Sequence, residues 1–162
     1  MDPALLAAPL ALLVAGPPIA LRASRWGIRR RKLRTVEGLA ELHPTRFERT
    51  VGGWLARAGW LVEQRGGTGD GGIDLLAFRD GRVLAVQCKC YRPDRAVAAT
   101  ALRDLFGAAT AMGATSAYLV TTGRVSAPAL EWAAAIPPGP TGLEVVNGET
   151  LAAIAADRRW DP

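Results

Sequence analysis

The stretch GGTGDGGIDLLAFRDGRVLAVQCKC, residues 66–90, decides the fold of this chain. A glycine-rich loop leads into two apolar segments, 73–78 and 83–90, and the Asp-Gly pair between them favours a tight hairpin turn. Two polar residues, Gln87 and Lys89, interrupt the second segment. Because residues two apart on a strand face the same way, these two side chains are expected to share one face of the sheet.

Asp74 lies early in the first of these strands, and neighbouring strands run only ~4.8 Å apart. We therefore expect a carboxylate, an amide and an ammonium group to converge beside a glycine loop that allows a ligand to approach closely. A hard cation such as Mg²⁺ prefers sparse oxygen ligation of this kind, with water in the remaining positions. Taken singly, Asp74, Gln87 and Lys89 are equally typical of solvent-facing hairpin residues, but together they favour a site.

The rest of the chain predicts an α/β sandwich around a mixed sheet. Thr45 and Glu48 fit a capping box at the start of the first helix, and residues 35–43 are predicted to be a connecting segment. Apolar spacing predicts helices over 44–60, 96–112, 126–135 and 149–156, and strands over 60–64, 116–121 and 143–146.

The positive charge is concentrated in one short segment. The chain has 162 residues, a formal charge of +5 and a sequence pI near 10.0, but residues 22–34 hold seven of its basic side chains. From residue 35 onward there are thirteen basic and fourteen acidic residues, a net charge of −1. Bulk charge therefore gives no argument that the main domain binds nucleic acid.

The first residues predict a membrane anchor. Residues 3–21 carry no charged side chain, and 19 residues approach the ~20 that a membrane-spanning helix needs. The basic cluster follows the apolar run, as a positive-inside flank does. We expect an anchor over 1–21, a basic juxtamembrane linker over 22–43 and one domain over 44–157 on the cytoplasmic side of the cell membrane. A processed signal peptide or a peripheral hairpin is the alternative.

The cysteine pattern excludes a zinc site. Cys88 and Cys90 share one strand face at a spacing that suits two free core residues better than a disulfide. The chain has a single histidine, His43, so a C-x-C pair has no partners with which to complete a zinc site. We predict that both thiols are reduced and packed in the core.

The strings GTGDGGIDLLAF and AVQCKCY resemble the Mrr-like restriction endonuclease family of the PD-(D/E)xK nuclease superfamily. The pattern continues with FE and GW in the first helix, with YLVTTGRVSAPALEWA and with GLEVVNGETLAAI, and it covers roughly residues 44–155. The resemblance implies a restriction-endonuclease-like α-β-β-β-α-β core, a mixed sheet between helices and a type IV restriction-type deoxyribonuclease. It also implies Mg²⁺ as the cofactor, DNA as the substrate and no small-molecule cofactor.

The resemblance also implies roles for individual residues. Asp74 matches the family's metal-binding aspartate, Gln87 takes the place of the second acid of the superfamily, and Lys89 matches the catalytic lysine. The metal ligands would be Asp74, the Gln87 side chain, the backbone carbonyl of Cys88 and Glu48, with Glu48 open between a ligand and a helix cap. Ile73 stands where the superfamily has a proline.

Further residues are candidate DNA contacts. We expect Asp70 to hold the glycine loop through backbone N–H groups, with a water-mediated place in the site as the alternative. Phosphate contacts are predicted for Tyr91, Arg92 and the loop Thr121-Thr122-Gly123-Arg124, for which an ordinary role as exposed loop residues is equally compatible.

The sequence therefore predicts a membrane-anchored, Mg²⁺-dependent DNA endonuclease. Cleavage of both strands would require a homodimer or two independent events. The alternative from another class is a non-catalytic nucleic-acid-binding or membrane-scaffolding module that retains the nuclease fold. A nucleotide-binding loop is disfavoured because GGTGDGG lacks the Lys-Ser/Thr that follows the glycines of a P-loop.

Overall fold

A computed structural model describes residues 33–65 and 72–162 of the chain. The strands are β1 (Leu61–Gln64), β2 (Leu75–Arg79), β3 (Arg82–Lys89), β4 (Ala96–Val97), β5 (Ser116–Thr121), β6 (Arg124–Val125) and β7 (Gly142–Val146). The helices are α1 (Val36–Ala40), α2 (Pro44–Arg57), α3 (Ala99–Ala111), α4 (Ala127–Ala134) and α5 (Gly148–Asp157). The α/β class and the mixed sheet between helices are confirmed.

One five-stranded sheet, in the order β1-β2-β3-β5-β7, forms the centre of the domain. The first three strands are antiparallel neighbours, whereas β3, β5 and β7 run parallel to one another. The hairpin between β2 and β3 turns at Asp80 and Gly81, whose φ values are 50° and 76°. Two successive positive φ values are typical of a type I′ turn, which Asp-Gly favours, so the predicted hairpin is confirmed.

The middle strand β3 is covered on both faces, because helices pack on either side of the sheet. Leu84, Val86 and Cys88 pack in a core with α2, whereas Ala85 packs in a second core with α3. Helical spacing predicts inward residues in these two helices, and most of them are buried: Phe47, Val51, Trp54 and Leu55 of α2, its C-cap Ala58, and Leu102 and Leu105 of α3. Phe106, which is also predicted to face inward, is only half-buried. The predicted alternation along β3 is therefore correct, but neither face is open to solvent along most of its length.

The predicted capping box is wrong. Helix α2 begins at Pro44, its N-cap is His43, and that N-cap makes no side-chain hydrogen bond to the helix. Proline is well suited to the first helical position because its missing N–H would be unpaired there in any case. Thr45 thus lies inside the helix, and Glu48 lies too far along it to reach back to the N-cap.

Two further segments differ from the sequence-based expectation. The segment 35–43 contains helix α1, whose Leu39 is fully buried in the core. The helix predicted over 96–112 begins only at Ala99, because Ala96 and Val97 pair with β6 in a two-stranded parallel ribbon. Both features depend on partners distant in sequence, which local spacing does not show.

Of the helices in 33–65 and 72–162, none has both the length and the apolar character needed to cross a membrane. The predicted anchor, residues 1–21, lies outside the described residues, as does most of the basic segment 22–34.

Candidate active site

The most unusual side chain of the sheet is Gln87, near the carboxyl end of β3. This polar side chain is only 3% exposed. Its Oε1 has no hydrogen-bond partner in the part of the chain that the structure describes. Burial of an unpaired amide oxygen would cost about 1–3 kcal/mol, so we expect this oxygen to pair with a group outside the described residues, with a water or with a ligand. The solvent-facing interpretation of Gln87 is excluded.

Asp74 lies beside Gln87 on the neighbouring strand. The Asp74 backbone N–H donates to the Val86 carbonyl over 2.9 Å, so the ladder between the two strands continues to this residue. The Asp74 carboxylate then accepts a hydrogen bond from the backbone N–H of Cys88, with 2.6 Å between Oδ2 and N. This bond fixes the carboxylate next to the Gln87-Cys88-Lys89 segment, so the predicted adjacency of Asp74 to this segment is found.

Gly72 shows why a glycine must precede these residues. Its φ is +80°, a conformation that L side chains rarely adopt, and a Cβ atom at this position would collide with the Gln87 amide nitrogen. The end of the glycine-rich loop therefore packs directly against the buried glutamine.

The charged candidates surround the Cys88 thiol. Burial raises the pKa of this thiol well above its ordinary range, and the charges of Asp74 and Glu48 raise it further, whereas Lys89 lowers it. A raised thiol pKa favours the protonated form over the nucleophilic thiolate. Both cysteines are free, as predicted.

Glu48 occupies the sheet-facing side of α2. It precedes the buried residues Val51, Gly52 and Leu55 by three, four and seven positions, which places it on the same stripe of the helix. Helix capping does not explain this glutamate, because the helix begins at Pro44. Glu48 approaches β3 from the Cys88 face, whereas strand alternation puts Gln87 and Lys89 on the other face. Its place as a metal ligand stays a prediction.

Arginine and tyrosine side chains follow β3 directly. The Arg95 guanidinium lies 4.0 Å from the centre of the Tyr91 ring. Arg92 is largely exposed, with its Nε 3.5 Å from a carboxylate oxygen of Asp94. Arg124, from the loop after β5, donates a hydrogen bond to the Asp94 carbonyl. These arginines lie close enough to the end of β3 to contact a polyanion, so the predictions for Tyr91, Arg92 and Arg124 are geometrically consistent.

Thr122 and Asp70 differ from these three residues. Thr122 is 3% exposed, and its hydroxyl donates to the Tyr91 carbonyl over 2.7 Å. Its side chain therefore holds two loops together, and a phosphate contact through this hydroxyl has no structural support. Asp70 lies outside the described residues, so its loop role stays a prediction.

The donor set fits a hard cation that keeps most of its water. No group of three or more His, Cys, Asp or Glu side chains that could hold a metal ion occurs within 33–65 and 72–162. The oxygens available at the end of β3 are the Asp74 carboxylate and the unpaired Oε1 of Gln87, with the Cys88 carbonyl beside them. Mg²⁺ is commonly held by one or two protein carboxylates with water in the remaining positions, so the residues present are compatible with it.

Comparison with known proteins identifies the family. The family model for the Mrr catalytic domain, described as "Restriction endonuclease", matches residues 39–155, which is most of the chain. This chain belongs to the Mrr-type restriction endonuclease family. The resemblance seen in the sequence is thus confirmed, and the family is one of restriction-type nucleases.

Two other comparisons add little to the Mrr assignment. A solved structure titled "Crystal Structure of Protein of Unknown Function AF1548" is similar at 16% identity and a TM-score of 0.48, over 64% of this chain and 55% of that chain. No curated protein matches the sequence.

Two residues of the candidate site were not singled out from the sequence. Gly72 was one of several glycines in the loop, and only its close approach to Gln87 distinguishes it. Thr121 was considered only as part of a loop that could contact phosphate, but it is fully buried in β5 and bonds to the Lys89 carbonyl. A hydroxyl at the end of an otherwise apolar strand is the one signal that could have marked it.

Proposed function

We propose that this chain is a Mg²⁺-dependent endonuclease that hydrolyses phosphodiester bonds in DNA. The observation that carries the proposal is the arrangement at the end of β3. There the Asp74 carboxylate is fixed on the Cys88 N–H, beside a buried Gln87 oxygen that has no partner among the described residues. Two oxygens so placed, next to a lysine, are suited to holding a cation against a phosphate.

Each residue has a distinct role in this proposal. Asp74, the Gln87 side chain and the Cys88 carbonyl would hold Mg²⁺. Glu48, which approaches from the Cys88 face of β3, would add a second carboxylate only if the ion lies past the strand end, within reach of both faces. When bound, Mg²⁺ supplies positive charge that polarises a phosphoryl oxygen and acidifies a nearby water. Because Gln87 is neutral, the negative charge that attracts the metal comes from the carboxylates alone.

Lys89 would orient the attacking water and stabilise the charge that accumulates on the phosphoryl oxygens. The water forms a new P–O bond as the bond from phosphorus to the 3′ oxygen breaks. The water gives up a proton, and the 3′ oxygen takes one from solvent. The products are a 5′-phosphate and a 3′-hydroxyl.

The arginines beyond β3 would hold the DNA backbone. Arg92, Arg95 and Arg124 gather near the end of β3, although the body of the chain has a net charge of only −1. A local cluster on a nearly neutral domain favours modest affinity and a marked salt dependence. Phosphate contacts fix the position of a duplex without reading its sequence.

The membrane association is a separate proposal. The uncharged run 3–21 and the basic segment after it favour a single-pass anchor in the cell membrane, with the nuclease domain on the cytoplasmic side. Carbonate extraction of membranes that contain the full-length protein is the test. A spanning anchor keeps the protein in the membrane pellet, and release into the supernatant would reject it.

The first prediction tests the nuclease proposal with full-length protein and supercoiled plasmid. Wild type is expected to nick the plasmid with Mg²⁺ but not with EDTA. Lys89→Ala and Asp74→Asn are each expected to lower the rate by roughly 10³-fold or more, because they remove transition-state charge stabilisation and metal attraction respectively. Circular dichroism checks that both variants keep the fold.

Arg57→Ala is the matched control, since it removes a cationic side chain that is exposed at the last turn of α2. It is expected to cut at the wild-type rate. Wild-type cutting by Lys89→Ala would contradict the proposed mechanism. Mg²⁺-independent DNA binding with no cutting by wild type would favour the non-catalytic binding module instead.

A further inference from the structure

The backbone carbonyl of Lys89 is held by an unusual number of donors. It accepts hydrogen bonds from the N–H of Tyr91 over 3.0 Å and from the N–H of Thr122 over 3.2 Å. It also accepts one from the Thr121 hydroxyl over 2.8 Å. Three groups of the described chain, two of them from the end of β5, therefore converge on the main chain of one lysine.

Thr121 connects these contacts. It is fully buried and lies opposite Lys89 in the parallel ladder between β3 and β5. Its hydroxyl donates to the Lys89 carbonyl and accepts from the N–H of Gly123 over 3.0 Å. A Cβ atom on Gly123 would lie 2.5 Å from the Arg95 carbonyl, so the loops after β3 and β5 touch here with no room for a side chain.

The other side of Lys89 has less backbone support. The ladder between β2 and β3 is described from Arg79↔Arg82 only as far as Leu75↔Val86. Beyond it, the Cys88 N–H is bonded to the Asp74 carboxylate rather than to a strand carbonyl. Among the described residues, the hydrogen bonds that fix the Lys89 carbonyl come from Tyr91 and from the end of β5, at the point where the two strands end.

We infer that Thr121 is a positioning residue for Lys89. It acts through the Lys89 main chain: the hydroxyl fixes the carbonyl, which fixes the Cα from which the flexible four-carbon stem extends toward the phosphate. Because effective catalysis requires reacting groups held within fractions of an ångström, a small displacement of this anchor lowers turnover without changing how DNA binds. The inference rests on the proposed nuclease function of Lys89.

The test compares two buried threonines. Thr121→Val removes one hydroxyl at nearly constant volume, and it is expected to lower kcat by roughly 10- to 100-fold with KM for plasmid unchanged. Thr121→Ser, which keeps the hydroxyl, is expected to restore most of kcat. Thr141→Val is the matched control, because Thr141 is also buried and its hydroxyl also donates to a backbone carbonyl, that of Ala114, away from β3.

Amide hydrogen exchange supplies a readout that does not depend on cleavage. The Gly123 amide loses its acceptor in Thr121→Val, so its exchange is expected to accelerate at least tenfold, while the Thr122 amide stays protected by the Lys89 carbonyl. The same measurement shows whether the variant keeps its fold. Thr121→Ala replaces Thr121→Val, with the same criteria, should the valine variant not fold.

The outcomes separate the inference from the proposed function. Wild-type kcat in a folded Thr121→Val variant overturns the inference and leaves the proposed function standing. An equal loss in Thr141→Val, or a rise in KM instead of a fall in kcat, also overturns it, because the effect is then one of general stability or DNA binding. A wild-type protein that does not cut with Mg²⁺ rejects the proposed function, and the inference with it.

Discussion

The two ends of β3 are built differently. At the hairpin end, Arg79 lies 4.3 Å from the Trp60 ring centre and forms a 2.7 Å ion pair with Asp161. The same guanidinium donates to the Ala58 carbonyl over 2.8 Å, and Arg82 donates to the Pro162 carbonyl. The two arginines at this end are thus paired with groups at the end of α2 and in residues 161–162.

At the other end, one buried acceptor has no partner among the described residues. Gln87 is buried with an oxygen that has no partner among the described residues, and the Asp74 carboxylate is fixed by a backbone N–H. An unpaired buried acceptor lowers stability by about 1–3 kcal/mol. The comparison indicates that the contacts at the hairpin end stabilise the domain, whereas Gln87 at the strand end needs a partner that the described residues do not supply.

The second prediction contrasts two glycines with positive φ, one at each end. Gly72→Ala is expected to lower cleavage by about 100-fold or more, because its methyl group displaces the Gln87 amide. Gly81→Ala, at φ +76° in open space, is expected to cost about 1 kcal/mol of unfolding free energy and to leave cleavage unchanged. Both variants are measured by urea denaturation and by plasmid nicking. Loss of cleavage in Gly81→Ala with normal cleavage in Gly72→Ala would contradict the difference between the two ends.

The third prediction concerns the hairpin end. Arg79→Ala is expected to lower the unfolding free energy by roughly 1–3 kcal/mol, through loss of the ring contact, the ion pair and the bond to Ala58, while cleavage is kept. Arg103→Ala is the control, because Arg103 is an exposed arginine near a ring, 5.7 Å from the Trp132 centre. It is expected to cost less than about 1 kcal/mol.

The pH dependence of the Arg79→Ala effect sharpens this result. The hydrogen bond from Arg79 is the largest cause that lowers the pKa of the Asp161 carboxyl below its ordinary value of 3.8. A carboxyl whose pKa is lower in the folded than in the unfolded state stabilises the fold at pH values above its unfolded pKa. This stabilisation is lost as the pH falls through its folded pKa. The difference between wild type and Arg79→Ala should therefore narrow in acid, and a constant difference would exclude the ion pair as its source.

The fourth prediction sharpens the strand end and has the smallest expected effect. Gln87→Glu adds a negative charge among the proposed ligands, so the Mg²⁺ concentration for half-maximal cleavage is expected to fall about tenfold. Without metal, the same variant should be less stable than wild type, because a buried carboxylate is costly when unpaired. Plasmid nicking over a range of Mg²⁺ concentrations checks the first statement, and thermal denaturation with and without Mg²⁺ checks the second. If Mg²⁺ raises the melting temperature of Gln87→Glu no more than that of wild type, a cation bound at Gln87 is contradicted.

Sequence reasoning reached the hairpin and the polar pair on β3 because their signals are local. Asp80 and Gly81 define the turn through backbone preference, and Gln87 and Lys89 stand out in an apolar strand. Alternation along the strand then orients them without further information. These are the parts of a site that periodicity can locate.

The parts that were missed depend on contacts distant in sequence. The ribbon that shortens α3 exists because Ala96 pairs with Arg124, and the role of Thr121 follows from its register against Lys89. The helix-cap role predicted for Glu48 was excluded by Pro44, which begins the helix two residues earlier than the capping box requires. Local patterns could propose each residue but could not select its partner.

The position of Cys88 limits which substitutions this protein can accept there. Its backbone N–H supports the candidate site through the hydrogen bond to Asp74. Its side chain packs in the core beside α2, and the residue is only 7% exposed. A larger residue there would push the strand outward and carry the carboxylate with it. Evolutionary drift and engineering for heat resistance are thus both restricted at this position, since repacking the interior on one face alters the chemistry at the strand end.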